Sequence, residues 1–425
     1  MINHIRSLLE ECGVSVYRIN EKHTETAELY FIKQKLDMPR KKVLDETSIE
    51  IFRDIEKDGK KLRASTNVLL SPSMSDDEIT SAIKDAYFAA QFAANPFFEL
   101  PKPEVCEHML SSSDLAKKST DEVAKIIADS VFSVDTAKDA FVNSLEIFVT
   151  KTTTHIVGST GLDVCFDSCF AEGEFVVQCI TPKDVEQYRS FKYDTLNTEG
   201  LKQKVIDSIN DVRARARSSQ PPKSGKYTVV LKGDHIRTIL DYYLSHSSAG
   251  MIYPGYSDWK VGTRIQKEIT EGEKLHLTLE SSVPYSSEGI RMKRRELIKD
   301  GVLALVHGNA RFCYYLNTEP TGNYEKIVSD NGTVPYADMI GEGVLEPISF
   351  SDFQMDTFDG HFKGEIRLAL LHHADGSVEE LSGGSINGSL PDSQNNLIFS
   401  KERYEDDTYN GPMAIKIENV AVAGI

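Results

Sequence analysis

The run Ser218-Ser219-Gln220-Pro221-Pro222-Lys223-Ser224-Gly225 constrains this chain more than any other segment. Two prolines and a closing glycine deny it regular helix or central strand, since proline lacks the amide donor and glycine carries no steric preference. Before it lies a helix-patterned stretch, Leu201 to about Arg217, and after it a strand-patterned one, Tyr227-Thr228-Val229-Val230-Leu231. At 425 residues the chain is too long for one ordinary core. The break therefore predicts an N-terminal domain over 1–220 and a C-terminal domain over 225–425.

The two halves differ in pattern, and together they predict an α+β fold. In the first, Ile5 to Leu9 opens a short helix ending near Gly13; Val14 to Ile19 suggests a strand and Ala27 to Leu36 another. Ile49, Ile51 and Ile55 lead into Asp58-Gly59, a hairpin turn signal. Ser75-Asp76-Asp77-Glu78 and Ser119-Thr120-Asp121-Glu122 both fit the capping box, in which serine and glutamate satisfy orphan amides reciprocally. Each precedes an apolar stripe at helical spacing, and the first helix stops before Asn95-Pro96. Residues 143–192 read as consecutive strands. The expected N-terminal domain is thus α/β, with a mixed sheet and helices. The second half has short apolar runs broken by Gly, Pro, Asn and Asp, apart from a helix from Ile236 to His246, and predicts a mostly antiparallel β domain.

Composition excludes several function classes. The formal net charge of −17 argues against nonspecific nucleic-acid binding, which needs a basic footprint. No run of about 18 uncharged apolar residues exists, so no membrane span is expected. The first residues enter a Leu/Glu helix pattern with no apolar leader core, and a cytoplasmic location is expected. The six cysteines show no disulfide-framework spacing; Cys165, Cys169 and Cys179 read as buried strand thiols rather than a zinc set, and Cys313 as an inert buried thiol among aromatics.

Several segments, in order along the chain, carry a resemblance. Gly225 to Leu231 resembles the strand that opens the C-terminal domain of the TldD/PmbA family. Ser287-Glu288-Gly289-Ile290-Arg291, Leu297-Ile298-Lys299-Asp300-Gly301-Val302-Leu303 and Glu319-Pro320-Thr321-Gly322-Asn323 resemble that family's EG step, its L-I-x-x-G-V-L strand and its EPTGN segment. Pro412 to Gly424 resembles its closing strand, which ends in a VAG-type triplet. Gly59 to Thr66, Gly161-Leu162-Asp163-Val164 and Gly383 to Leu390 add weaker matches. The resemblance implies a cytoplasmic two-domain protein that pairs with another family member. In such pairs one subunit carries a His-Glu-x-x-x-His helix that binds zinc and cleaves peptides, and the PmbA/TldE-like subunit lacks it. It also implies an association with maturing peptide antibiotics, with degrading small or unfolded polypeptides, and with the older label of DNA gyrase modulator.

That chemistry needs two imidazoles to hold the metal and a carboxylate to activate water. None of the eleven histidines is followed by Glu. Counting from Val229-Val230-Leu231 sets the family motif on Asp241-Tyr242-Tyr243-Leu244-Ser245-His246. Asp241 then replaces the first ligand and Tyr242 the catalytic carboxylate, and a phenol is no general base near neutral pH. No catalytic residue and no metal ligand are therefore assigned, and zinc is expected only in a partner. His246 alone suits a helix C-terminus.

The leading expectation is a non-catalytic partner of a TldD-like zinc-bearing subunit acting on peptide or unfolded polypeptide. The alternatives are an autonomous metallopeptidase with a site rebuilt around Asp241 and His246, or a homodimeric regulatory protein. Among other candidates, His372-His373 reads as an exposed pair near a hairpin tip, with Glu379-Glu380 nearby. Ser382 to Ser385 reads as a flexible strand connection, because a phosphate loop needs a lysine and a following helix. The acidic run Glu402 to Asp407 reads as a solvated loop. Arg291, Lys293, Arg294 and Arg295 form the densest positive patch, suited to a partner's acidic surface, a peptide C-terminus or a charge-blunted strand edge.

Overall fold

The computed structural model describes residues 2–218, 220–267, 269 and 272–425; Ser219 of the proline-bearing run lies outside the described residues. The N-terminal half is one eight-stranded sheet with helices on a single face. Along its main path the order is Ala94–Pro96, Lys60–Leu70, Lys35–Lys57, Val16–Ile32, Ala140–Gly158, Asp163–Cys179 and Val105–Met109, with Val185–Tyr193 also on Asp163–Cys179. Every pairing is antiparallel except that of Val105–Met109, which makes the sheet mixed.

Local chemistry accounts for the elements. Asp58 and Gly59 both take positive φ, 54° and 70°, the geometry of a two-residue hairpin, and Lys57 pairs with Lys60 across it. Both capping boxes form. The Glu78 and Glu122 carboxylates each accept from the N-cap serine amide at 2.8 Å. These contacts start the helices Asp76–Ala90 and Thr120–Val134.

The expected strand over Ala27 to Leu36 needs correction. Val16–Ile32 is one continuous strand, and the chain turns at Lys33, with Ile32 paired to Lys35. Its neighbours Lys35–Lys57 and Ala140–Gly158 pair with it along nearly its whole length, so the polar stretch around Lys22 and His23 is carried as exposed strand.

Strand alternation decides what each sheet face does. Ile19, Ile49 and Ile51 pack on the helices Ile2–Glu11 and Asp76–Ala90; Ala27, Ile147, Val149 and Ala171 pack with Thr120–Val134 and Thr198–Arg217. The residues between them point the other way and carry Arg18, Thr24, Thr26, Thr150, Thr152, Ser168, Phe170 and Lys192. That polar face meets the C-terminal half.

The C-terminal half holds two sheets. One runs Val302–Leu303, Arg295–Lys299, Leu277–Glu280, Lys326–Ser329, Tyr409–Pro412 and Arg403–Glu405. In the other, Val344–Met355, Gly225–Lys232, Ala414–Ala423, Ser385–Ser389 and His361–His372 pair in sequence, and His361–His372 pairs back onto Val344–Met355, closing a ring. The pairings are antiparallel apart from Ile327 beside Tyr409 and Val344 beside Thr228. The opening strand and the closing strand that carry the resemblance are adjacent, Gly225 opposite Val422 and Lys232 opposite Ala414. The proline-bearing run lies along the chain end, with Ser224 donating to the Ile425 carbonyl at 2.9 Å and Ile425 to that of Pro222 at 3.1 Å.

Candidate functional site

The helix Asp234–His246 carries the three positions of the degenerate motif. At about 100° per residue, positions five apart lie about 140° apart around a regular helix, so Asp241 and His246 face different surroundings. Asp241 is ion-paired with Arg237, whose guanidinium also donates to the Glu325 and Thr408 carbonyls. His246, the last helical residue, is 7% exposed and bonds through Nε2 to the Phe358 carbonyl at 3.1 Å. Its Nδ1 is buried without a partner, among the rings of Tyr242 at 4.3 Å and Trp259 at 5.1 Å. Burial pushes the Tyr242 phenol above its ordinary value, further from any basic role. Among the described residues no three His, Cys, Asp or Glu side chains converge as a metal site. The donors here do not fit a zinc ion: one is held by a guanidinium and the other is enclosed by aromatics.

What the fold does bring together lies between the halves. A cleft of about 650 Å³ has the polar sheet face as its floor, through Arg18, Ser168, Phe170 and Lys192. Its roof comes from the C-terminal half, through Glu280, Tyr285, Glu288 and Asn323. A second cavity of about 550 Å³ continues it toward the start of the Asp234–His246 helix, and the two share Lys192 and Asp407.

The segments that carry the family resemblance meet along this seam. Gly289 of the EG step has φ +78°, and a Cβ there would stand 2.4 Å from Leu162 Cδ2, so the Gly161-Leu162-Asp163-Val164 step packs on a position only glycine fills. Leu162, Val164, Phe166 and Ile156 form an apolar cluster with Tyr285, whose hydroxyl donates to Glu104 at 2.8 Å. Glu288 turns its carboxylate inward and accepts from the Ala310 amide at 2.9 Å, while burial raises its pKa. Thr321, fully buried, accepts from the Gly308 amide at 3.1 Å and so clamps Glu319-Pro320-Thr321-Gly322-Asn323 beside it.

Two expectations are corrected here. The acidic run is not a solvated loop: Arg403–Glu405 is a strand, and Asp406 accepts from the Thr408 and Tyr409 amides at 2.8 Å each. That turn presents Asp407 to the cleft, 3.7 Å from Lys192, where burial pushes its carboxyl up to about 6. His372 is not exposed: it sits 3.0 Å from Glu346, a carboxylate 1% exposed that also pairs with Lys232 at 2.6 Å. Burial favours the neutral form of Glu346, but His372 and Lys232 outweigh it and hold the carboxyl down to about 2. His373 does lie outside, near Glu379 at 3.5 Å, and Glu380 pairs with Arg217. Of the positive patch only Arg295 lies in a strand, where it pairs with Leu279, while Val302–Leu303 on the other side reaches only Ile298 and Lys299. Gly383 and Gly384 connect Val378–Leu381 to Ser385–Ser389, and Cys169, Cys179 and Cys313 are buried free thiols.

Sequence reasoning overlooked Arg18 and Lys192. The available signal was alternation: polar residues recurring on the face opposite the apolar one mark a sheet surface that meets water or a cleft.

Comparison with known proteins agrees with this architecture. Residues 224–424 match the family model of the PmbA/TldA metallopeptidase C-terminal domain. A Methanothermobacter thermautotrophicus protein named metalloprotease is 27% identical over 124 residues, 28% of this chain and 27% of that relative's length. TldE from Thermococcus kodakarensis shares the fold with a TM-score of 0.77 at 20% identity over 100% of both chains. A Thermotoga maritima protein described as a candidate modulator of DNA gyrase gives 0.77 at 15% identity over 99% of each. Among the described residues no helix is long and apolar enough to cross a membrane. Residues 224–424 belong to the family of the PmbA/TldA metallopeptidase C-terminal domain, and the whole chain carries the fold of these structures.

Proposed function

We propose that this chain is the non-catalytic member of a two-subunit zinc-peptidase system, holding extended peptide in the interdomain cleft while a partner supplies the metal. The observation that supports it is the contrast between two regions. On the Asp234–His246 helix, Asp241 is tied to Arg237 and His246 is enclosed by Tyr242 and Trp259, so the donors do not converge. Between the halves, a large cleft offers both signs of charge, Lys192 and Lys326 against Glu280 and Asp407, on a polar sheet floor. Extended peptide is recognised largely through its backbone and needs few special side chains. A wall of mixed charge suits a chain that carries both an amine and a carboxylate. On this reading the pair works in the cytoplasm on small or unfolded polypeptides.

The test mixes the purified chain with a family member that carries His-Glu-x-x-x-His and follows cleavage of a fluorogenic unstructured polypeptide. The chain alone is expected to be inert, and the mixture to cleave faster than the zinc-bearing protein alone, with chelator abolishing the activity. Chelator-sensitive cleavage by the chain alone, or no effect of mixing, would overturn the reading.

A further inference from the structure

The Glu288–Ala310 hydrogen bond divides the seam: Glu288 and Asn309 line the cleft, and Gly289 and Ala310 line a separate pocket of about 530 Å³ behind it. Both halves build this pocket, the N-terminal one through residues 99–104 and the C-terminal one through the EG and EPTGN segments. In a chain of net charge −17 it gathers Lys102, Arg291, Lys293 and Arg295. Three carboxylates share it, Glu99, Glu104 and Glu319. Glu104 is taken by Arg291 at 3.2 Å and by Tyr285, and Glu319 by one contact to Arg295 at 3.1 Å.

What remains is a surplus of donors. Among the described residues the side chains of Lys102 and Lys293 have no ion pair or hydrogen bond. Glu99 is the one carboxylate left unpaired. Leu100, Ile290 and Pro320 supply apolar wall beside these cations.

We propose that this pocket binds a peptide carboxylate, with Lys102 and Lys293 neutralising the charge and the apolar wall taking the adjoining side chain. The proposal rests on the peptide-holding role above and names a recognition element for it. A singly charged carboxylate fits better than a phosphate dianion, because Glu99, Glu104 and Glu319 already border the pocket. Either a C-terminal carboxylate or an Asp or Glu side chain supplies the chemistry.

Calorimetric titration of the full chain tests it with three probes: a short apolar peptide ending in a free acid, the same peptide as its C-terminal amide, and the amide with one internal Glu. The free acid is expected to bind about tenfold more tightly than the amide, the value of a hydrogen bond to a charged group. That preference should vanish in the Lys102→Ala/Lys293→Ala variant, whose substitutions are at exposed positions. If the Glu-bearing amide matches the free acid, the pocket reads any peptide carboxylate; if it matches the plain amide, the pocket reads the C-terminus. Equal binding of acid and amide, or a preference that survives the double substitution, overturns the subsite but leaves peptide holding in the cleft intact. Absence of binding by all three overturns both.

Discussion

Replacing Lys232 by Met tests the buried network around Glu346. Glu346 is 1% exposed and faces Lys232 at 2.6 Å and His372 at 3.0 Å, with Lys232 also 3.3 Å from the Tyr336 hydroxyl. Holding the Glu346 carboxyl at about 2 rather than 4.5 corresponds to about 3 kcal/mol, at about 1.4 kcal/mol per pH unit. That figure is the net of burial against His372, Lys232 and Tyr336, and removing one partner of a buried pair costs about 3–5 kcal/mol. Lys232→Met should therefore destabilise the C-terminal half by about 3 kcal/mol at pH 7. Because the folded-state value lies below the unfolded one, this stabilisation is full above about 4.5 and fades as the pH falls toward 2. The difference between wild type and variant should shrink over the same window. The assay is urea unfolding followed by the fluorescence of Trp259, the only tryptophan, which packs against the core at Tyr243. Adding Glu346→Leu should recover most of the loss, since an apolar pair avoids the buried charge. A loss below about 1 kcal/mol at pH 7, or one that does not change between pH 7 and 3, refutes the reasoning.

Two further outcomes are expected. Ser75→Ala and Ser119→Ala each remove the hydroxyl oxygen that accepts from the Glu78 or Glu122 amide, and each should cost about 1 kcal/mol in urea unfolding. Asp407→Asn should stabilise the protein by about 1–2 kcal/mol at pH 7 after allowance for solvent screening. The carboxyl of Asp407 is raised to about 6, so its charged form is the disfavoured one, and the gain should disappear as the pH falls below that value.

What could be read from the sequence was local. The capping boxes at Ser75 and Ser119 and the Asp58-Gly59 turn are decided by residues no more than three apart, and each forms as its chemistry predicts. The continuous strand Val16–Ile32 was harder to see, because its polar middle is held by neighbours that come from residues 35–57 and 140–158. His372 looked exposed for the same reason: Glu346 is 26 residues away and reaches it only across the paired strands Val344–Met355 and His361–His372. Asp407 depends on a turn made by Asp406, a short-range feature hidden by the run of like charges around it. The cleft draws its walls from many distant segments, and no spacing along the chain describes it.

The neighbouring positions of Gly225–Lys232 and Ala414–Ala423 set a timetable for synthesis. The N-terminal sheet is complete by residue 193 and can fold while the rest is still being made. The ring in the second half cannot close until residues 414–423 have emerged, because they lie between Gly225–Lys232 and Ser385–Ser389. Until then both of those strands keep one edge bare, for nearly two hundred residues of translation in the case of Gly225–Lys232. Until residues 414–423 emerge these edges are open to chaperones and to edge-to-edge aggregation, and a truncation that removes Ala414–Ala423 leaves them bare.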